Sequence, residues 1–261
     1  MKKILILESR SVCYQSYWYF AEQLEKQFNK LRCEVTLFRT TETSFEQLEQ
    51  FCGTSFDAVF EFNSILPRAK MEDDSYFLDH IDAPFFDIIL DHPLYHHDSL
   101  KQTLSNFHVL CLDSNHQTYI EENYPHIQSV NRFFLSGEES LPATPMKDRP
   151  IEILFTGTYT PANEVFDAIS LVPSFLQRDI KNIIDMMLAD STLTIETAAQ
   201  KLIPHSDSLL AENFPLHVSS YFLAATYLRA YYRETLIKTI ANANLPLTVY
   251  GSDWGKFPLS S

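Results

Sequence analysis

Residues 2–8 read KKILILE and break at Ser9-Arg10-Ser11. A short aliphatic run that opens into a polar loop is the pattern of a strand buried on both faces of a parallel sheet. The next segment has a different period. Tyr17, Ala21, Leu24, Phe28 and Leu31 recur at spacings of four and three, with Glu22, Glu25, Lys26 and Lys30 on the other side. That stripe predicts a surface helix laid over the sheet. The alternation continues, with strands predicted at 34–39, 57–62, 85–90, 108–112 and 129–135 and helices at 45–52, 75–80, 99–104 and 117–123. Strands and helices alternating with short connections predict an α/β fold, a Rossmann-like parallel-sheet domain over residues 1–137.

Working outward, residues 138–150 (EESLPATPMKDRP) hold three prolines and several charges without apolar periodicity, the composition of a linker. A second buried strand, IEILFT at 151–156, then stops at Gly157. From 161 to 244 the pattern is helical, with segments at 163–171, 174–189, 195–202 and 216–242 punctuated by Pro173, Pro204 and Pro215. The chain returns to a strand at LTVY, 247–250, followed by Gly251-Ser252-Asp253-Trp254-Gly255. Residues 151–261 therefore predict a partial, mainly helical α/β domain with two strands.

Composition narrows the function. Of 261 residues, 45% are hydrophobic, which suits a packed core. Asp and Glu number 34 against 20 Lys and Arg, a formal charge of −14. Nucleic-acid binding needs clustered cations, so no nucleic-acid partner is expected. No uncharged apolar run approaches ~18 residues, so no transmembrane segment is expected either. Cys13, Cys33, Cys52 and Cys111 show no CxxC spacing, and the N-terminus lacks the pattern of a signal peptide. Free thiols and a cytoplasmic location are the expectation.

In an open parallel sheet, ligands bind outside the carboxyl ends of the strands. Those ends carry Ser9 and Arg10, Glu61 and Asn63, Asp91 and His92, and Asp113 in the first half. In the second half they carry Thr156, Gly157, Thr158 and Tyr159, then Gly251 and Ser252. The densest cluster is Asp91-His92-Pro93-Leu94-Tyr95-His96-His97. A histidine at a strand tip beside a carboxylate can exchange a proton near neutral pH, so Asp91 and His92 are the catalytic candidates, with Asp91 or Asp113 expected to hold the ring. His96 and His97 read as solvated loop residues. HExxH, GxSxG, GxGxxG and Walker patterns are all absent, and no metal is expected. Thr156-Gly157-Thr158 is the phosphate candidate: glycine allows close backbone approach, and a helix starting near Pro161 and Asn163 would offer N–H donors.

The segments IEILFTGTYTP (151–161) and LPLTVYGSDW (245–254), with the long helical stretch between them, resemble the spore-maturation-protein-B-like (CgeB-like) group of GT-B glycosyltransferases. The resemblance implies a bacterial enzyme whose second half binds a nucleotide-diphosphate sugar, the co-substrate, through Thr156, Gly157, Thr158, Tyr159, Gly251 and Ser252. No other cofactor is implied. The first half would carry a sugar, lipid-linked or protein acceptor against Ser9, Arg10, Glu61, Asn63 and Asp113, with His92 touching the transferred sugar. The second half is shorter than a full GT-B donor domain, so the expectation is a truncated chain that binds donor weakly or not at all and transfers nothing. The alternative is a non-catalytic binding or assembly protein that uses 161–244 as a partner surface, homo-oligomers included. YFLAATYLRAYY (221–232) is aromatic on more than one face, which suits burial between surfaces.

Overall fold

In the computed structural model, which describes residues 1–8, 16–40, 45–63, 65–134, 144–203 and 213–258, the KILILE run is strand β1, Lys3–Glu8. Every residue of it after Lys3 is buried, which suits the aliphatic stretch from Ile4 to Leu7. Ser9, Arg10 and Cys13 lie outside the described residues, as do 138–143 of the predicted linker. The chain divides into two compact units, Met1–Ser136 and Gly137–Ser261.

The first unit is a six-stranded, wholly parallel sheet. Its other strands are β2 (Glu34–Arg39), β3 (Ala58–Phe62), β4 (Phe85–Ile89), β5 (Phe107–Cys111) and β6 (Ser129–Arg132), in the order β2-β1-β3-β4-β5-β6. Helix α1, Ser16–Lys30, lays the predicted stripe from Tyr17 to Phe28 on one face, while Leu31 falls past its end and is exposed. Tyr17 and Ala21 are buried with Ile4, Ile6, Ala58, Phe62 and Ile88, while Phe20, Leu24 and Phe28 pack at the margin. The remaining α-helices of this unit are α2 (His97–Leu100) and α3 (Ser114–Asn123).

Three predicted helices are corrected. The one expected at 99–104 is the four-residue α2, His97–Leu100, and ends before Lys101. The segments expected at 45–52 and 75–80 form 3-10 turns, Phe45–Phe51 and Phe77–His80. A run this short closes few backbone bonds in either form, so i→i+3 turns compete with i→i+4 turns. Cys33 and Cys52 are half-buried and Cys111 is buried, all three as free thiols.

The second unit pairs β7 (Ile153–Thr156) with β8 (Leu247–Tyr250) in parallel, Ile153 opposite Leu247 and Thr156 opposite Tyr250. Between them run α4 (Ala162–Ala168), α5 (Ser174–Ala189), α6 (Ile195–Leu202), α7 (Phe214–Ser220) and α8 (Phe222–Asn242). The single helix expected at 216–242 is broken at Tyr221. Ser219 and Ser220 turn their hydroxyls back onto the carbonyls of Leu216 and His217, and this local competition for backbone acceptors favours a break. No helix among the described residues is long and apolar enough to cross a membrane.

Where β7 and β8 end, the backbones of two glycines come close together. Gly251 has φ +139°, and a Cβ built on it would lie 2.0 Å from the carbonyl oxygen of Gly157. That oxygen also accepts the indole N–H of Trp254 at 2.7 Å. Gly251→Ala should therefore destabilise the second unit by about 2–4 kcal/mol, through steric conflict and strain together. Gly255→Ala, where nothing stands within 4 Å of the added carbon, should fall within about 0.5 kcal/mol of the parent. Urea denaturation of both variants checks the pair; equal stabilities would refute the backbone contact.

Candidate functional site

The strand order reverses direction at β1, which has β2 on one side and β3 on the other. In parallel α/β sheets the crevice outside such a reversal is where ligands bind. The residues that shape this edge are set by the end of β3. Asn63 follows the strand with φ +59°, a conformation that Asn tolerates better than most side chains. It is buried, and its polar atoms are committed within the protein. Nδ2 donates to the Tyr17 hydroxyl and, at 2.9 Å, to Oδ2 of Asp91; Oδ1 accepts the N–H of Leu90 at 2.7 Å; its own N–H donates to Ile88 at 3.0 Å. Asn63 thus positions Asp91 and joins the ends of β3 and β4 to α1.

Asp91 is exposed and His92 half-buried. Nδ1 of His92 accepts the N–H of Leu94 at 3.1 Å, capping the 3-10 turn Pro93–His96. In the neutral ring the proton therefore sits on Nε2. A backbone donor, rather than the expected carboxylate, fixes this nitrogen. The other flank of the ring meets His116, 4.7 Å between centroids, and Tyr119 at 5.9 Å. Asp113 instead caps α3, its Oδ1 accepting from Asn115 at 2.7 Å and His116 at 3.4 Å.

The reading of His96 and His97 as solvated is corrected. His96 is buried, and His97 is half-buried with Nδ1 3.1 Å from the Tyr124 hydroxyl. Burial lowers the proton affinity of His97, helped by Lys101. The chain turns inward here because Leu94 and Leu100 anchor the two ends of the segment in the core.

Glu61 stands on β3 with its side chain on the face away from α1, since Phe60 and Phe62 occupy the α1 side. It is fully buried, and Oε2 accepts the N–H groups of Ile65 and Leu66 at 3.2 and 2.9 Å. Its register partner on β4, Asp87, is also fully buried. These acids fix the interior of the sheet, and the structure does not bring Glu61 to the surface. Among the described residues, no group of three or more His, Cys, Asp or Glu side chains is placed to hold a metal ion.

Glu8, the last residue of β1, is a candidate the sequence reading passed over, although a charge closing an aliphatic run is a visible signal. It is 2% exposed, and neither carboxylate oxygen accepts a hydrogen bond of ordinary length from the described residues. Oε2 lies 3.5 Å from Nε of Arg39. Burial raises its acid to about 7, against the pull of Arg39 and with a further push from Glu22.

In the second unit, the structure brings Thr156–Tyr159 against Gly251 and Ser252. Gly157 donates its N–H to Tyr250 at 2.8 Å and Tyr159 donates to Ser252 at 3.0 Å. The Ser252 hydroxyl donates to that of Thr158 at 3.2 Å. Thr156, at the strand end, is exposed. The N–H groups of Gly157 and Tyr159 are thus engaged within the chain, and so is that of Ala162, the first residue of the helix. Glu234, on α8, accepts the N–H of Ala162 at 2.8 Å and the Tyr159 hydroxyl at 3.0 Å. Burial pushes the Glu234 carboxyl up, but the Ala162 N–H, Lys238 and Tyr159 outweigh it and hold it below the usual range. Tyr159, buried and facing that carboxylate, is pushed up to about 12. A carboxylate at a helix N-terminus satisfies the dipole that would otherwise attract an external anion. Nothing local in the sequence announces Glu234, which lies more than seventy residues away.

No protein-family profile, no curated protein and no solved structure matches the chain. The fold itself defines the class: an α/β protein whose first unit is a Rossmann-like parallel sheet.

Two outcomes test the site. Asn63→Ala should cost about 2–4 kcal/mol, because it orphans the Leu90 N–H and releases Asp91. Asp113→Ala, an exposed helix cap, should cost about 1 kcal/mol. A chemical-denaturation loss for Asn63→Ala no larger than for Asp113→Ala would remove its positioning role. For Glu8 the folded acid lies above its ordinary value of 4.5, so the folded state resists ionisation and the parent loses stability as pH rises from 4.5 to 7. Glu8→Gln abolishes that loss. Its advantage over the parent should grow across this window by up to about 3 kcal/mol and level off above pH 7. Urea midpoints at pH 5 and pH 8 read the difference.

Proposed function

We propose that the chain is a glycosyltransferase, or the larger part of one, that moves a sugar from a nucleotide-diphosphate donor to an acceptor hydroxyl. One observation carries the reading: a single chain builds two successive parallel α/β units whose strands finish in polar loops, Asp91 and His92 in the first and Thr158 and Ser252 in the second. In this reading the first unit holds the acceptor and presents Asp91 and His92 to the reacting sugar. With Nδ1 occupied by Leu94, His92 acts through Nε2–H, donating to a sugar hydroxyl, while the exposed Asp91 carboxylate accepts from another. The donor contacts the second unit at Thr156, Gly157, Thr158, Tyr159, Gly251 and Ser252. The N–H groups of Gly157, Tyr159 and Ala162 are internally bonded, so side-chain hydroxyls rather than the first N–H of the helix supply the recognition, which is consistent with weak donor binding.

A second reading, a binding or assembly protein, draws on the aromatic surface of α8, where Phe222 and Tyr232 are exposed and Tyr231 stacks on Tyr227. Saturation-transfer NMR with a panel of uridine- and guanosine-diphosphate sugars separates the two, because it detects millimolar binding. Transfer reads as ribose and sugar protons of one donor saturating, with His92→Ala lowering turnover about 10-fold or more and costing no more than about 1 kcal/mol of stability through the lost cap. No saturation by any donor, together with a concentration-dependent dimer in light scattering, would replace transfer by assembly.

A further inference from the structure

The carboxyl end of β1 holds a charge arrangement that the proposed transfer does not use. Glu8 and Arg39 are register partners on β1 and β2, so their side chains stand on the same face of the sheet. Helix α1 covers that face and brings Trp18 and Glu22 to the same place. The Arg39 guanidinium bonds Oε1 of Glu22 through Nη2 and lies 4.9 Å over the Trp18 ring. Toward Glu8 it reaches only to 3.5 Å, beyond hydrogen-bond length. One guanidinium therefore faces two carboxylates. Glu22 is 45% exposed and holds the short contact; Glu8 is 2% exposed and holds the long one.

An ionised carboxylate buried without hydrogen bonds is costly, whereas a neutral acid in the same place is not. The observed contacts suit neutral Glu8, and its ionised form needs the guanidinium closer. Among the described residues, the other neighbours do not compete. On β3, Glu61 points to the opposite face, and the residues beside β1 at that end are the uncharged Phe62 and Asn63. Arg39 and Glu22 are the charged groups that act on Glu8.

We propose that Glu8, Arg39 and Glu22 form a proton-controlled latch: Arg39 rests on Glu22 while Glu8 is neutral and is drawn inward onto Glu8 when Glu8 ionises. The movement changes how tightly the carboxyl ends of β1 and β2 are tied to α1, at the reversal in strand order where this fold class binds its ligands. With Glu8 titrating at about 7, the exchange falls in the neutral range.

Trp18 reports the position of Arg39 directly. The protein has two tryptophans, Trp18 and Trp254, so two indole N–H signals appear in a 1H–15N correlation spectrum, and Trp254→Phe assigns them. Between pH 5.5 and 8.5 the Trp18 signal should move with a midpoint near 7. In Glu8→Gln, which keeps the shape and removes the charge, it should stay still. In Glu22→Gln, a surface change, the midpoint should fall, because the neighbour that pushes Glu8 upward is gone. A stationary signal in the parent, an unchanged titration in Glu8→Gln, or an unmoved midpoint in Glu22→Gln would each overturn the latch.

Discussion

A parallel strand covered on both faces leaves its polar side chains only two fates: to be satisfied in place or to stand at an end. Most of the chemistry in the first unit follows from that constraint. Glu61 lies within β3 and is satisfied by the N–H groups of Ile65 and Leu66, so an acid that could have bound a ligand anchors a loop instead. Asn63, one step past the strand, turns into the left-handed region and gathers β3, β4 and α1 onto one amide. Asp91 and His92, at the tip of β4, keep contact with the surface. Glu8 sits on the boundary between the two cases, at a strand end yet buried, with a single guanidinium shared between it and a wetter acid.

The parts legible in the sequence are those governed by local pattern. Aliphatic runs mark β1 through β5 to within a residue or so at each end, and the stripe from Tyr17 to Phe28 marks α1. The crossovers are harder, because in runs as short as FEQLEQF and FLDH the apolar period does not distinguish i→i+3 from i→i+4 turns. The break at Tyr221 is local too, but its cause is a pair of serine hydroxyls facing the helix's own carbonyls, which hydrophobic period does not register. His96 looked solvated because three histidines in six residues suggest a polar loop, while the leucines on either side decide where the segment goes.

The site was legible as a set of strand tips and not as a set of roles. That Asp113 caps α3 and Asn63 positions Asp91 follows from the angle at which each chain segment leaves its strand. In the second unit the decisive residue, Glu234, reaches the start of α4 from the far side of the helical stretch. Pairings across that distance carry no local signature, so a strand-glycine-helix sequence looks like an open anion site whether or not a carboxylate from elsewhere already occupies it.

The Gly157–Gly251 contact has a consequence for the order of events in folding. About ninety residues of mostly helical chain separate β7 from β8, and closing a loop of that length is entropically unfavourable until the helices have shortened it. Helices form from neighbouring residues and form fast; a parallel pairing across such a span comes late. The second unit is therefore built helices first, and its two strands remain without partners until the helical stretch has gathered and the glycines can meet.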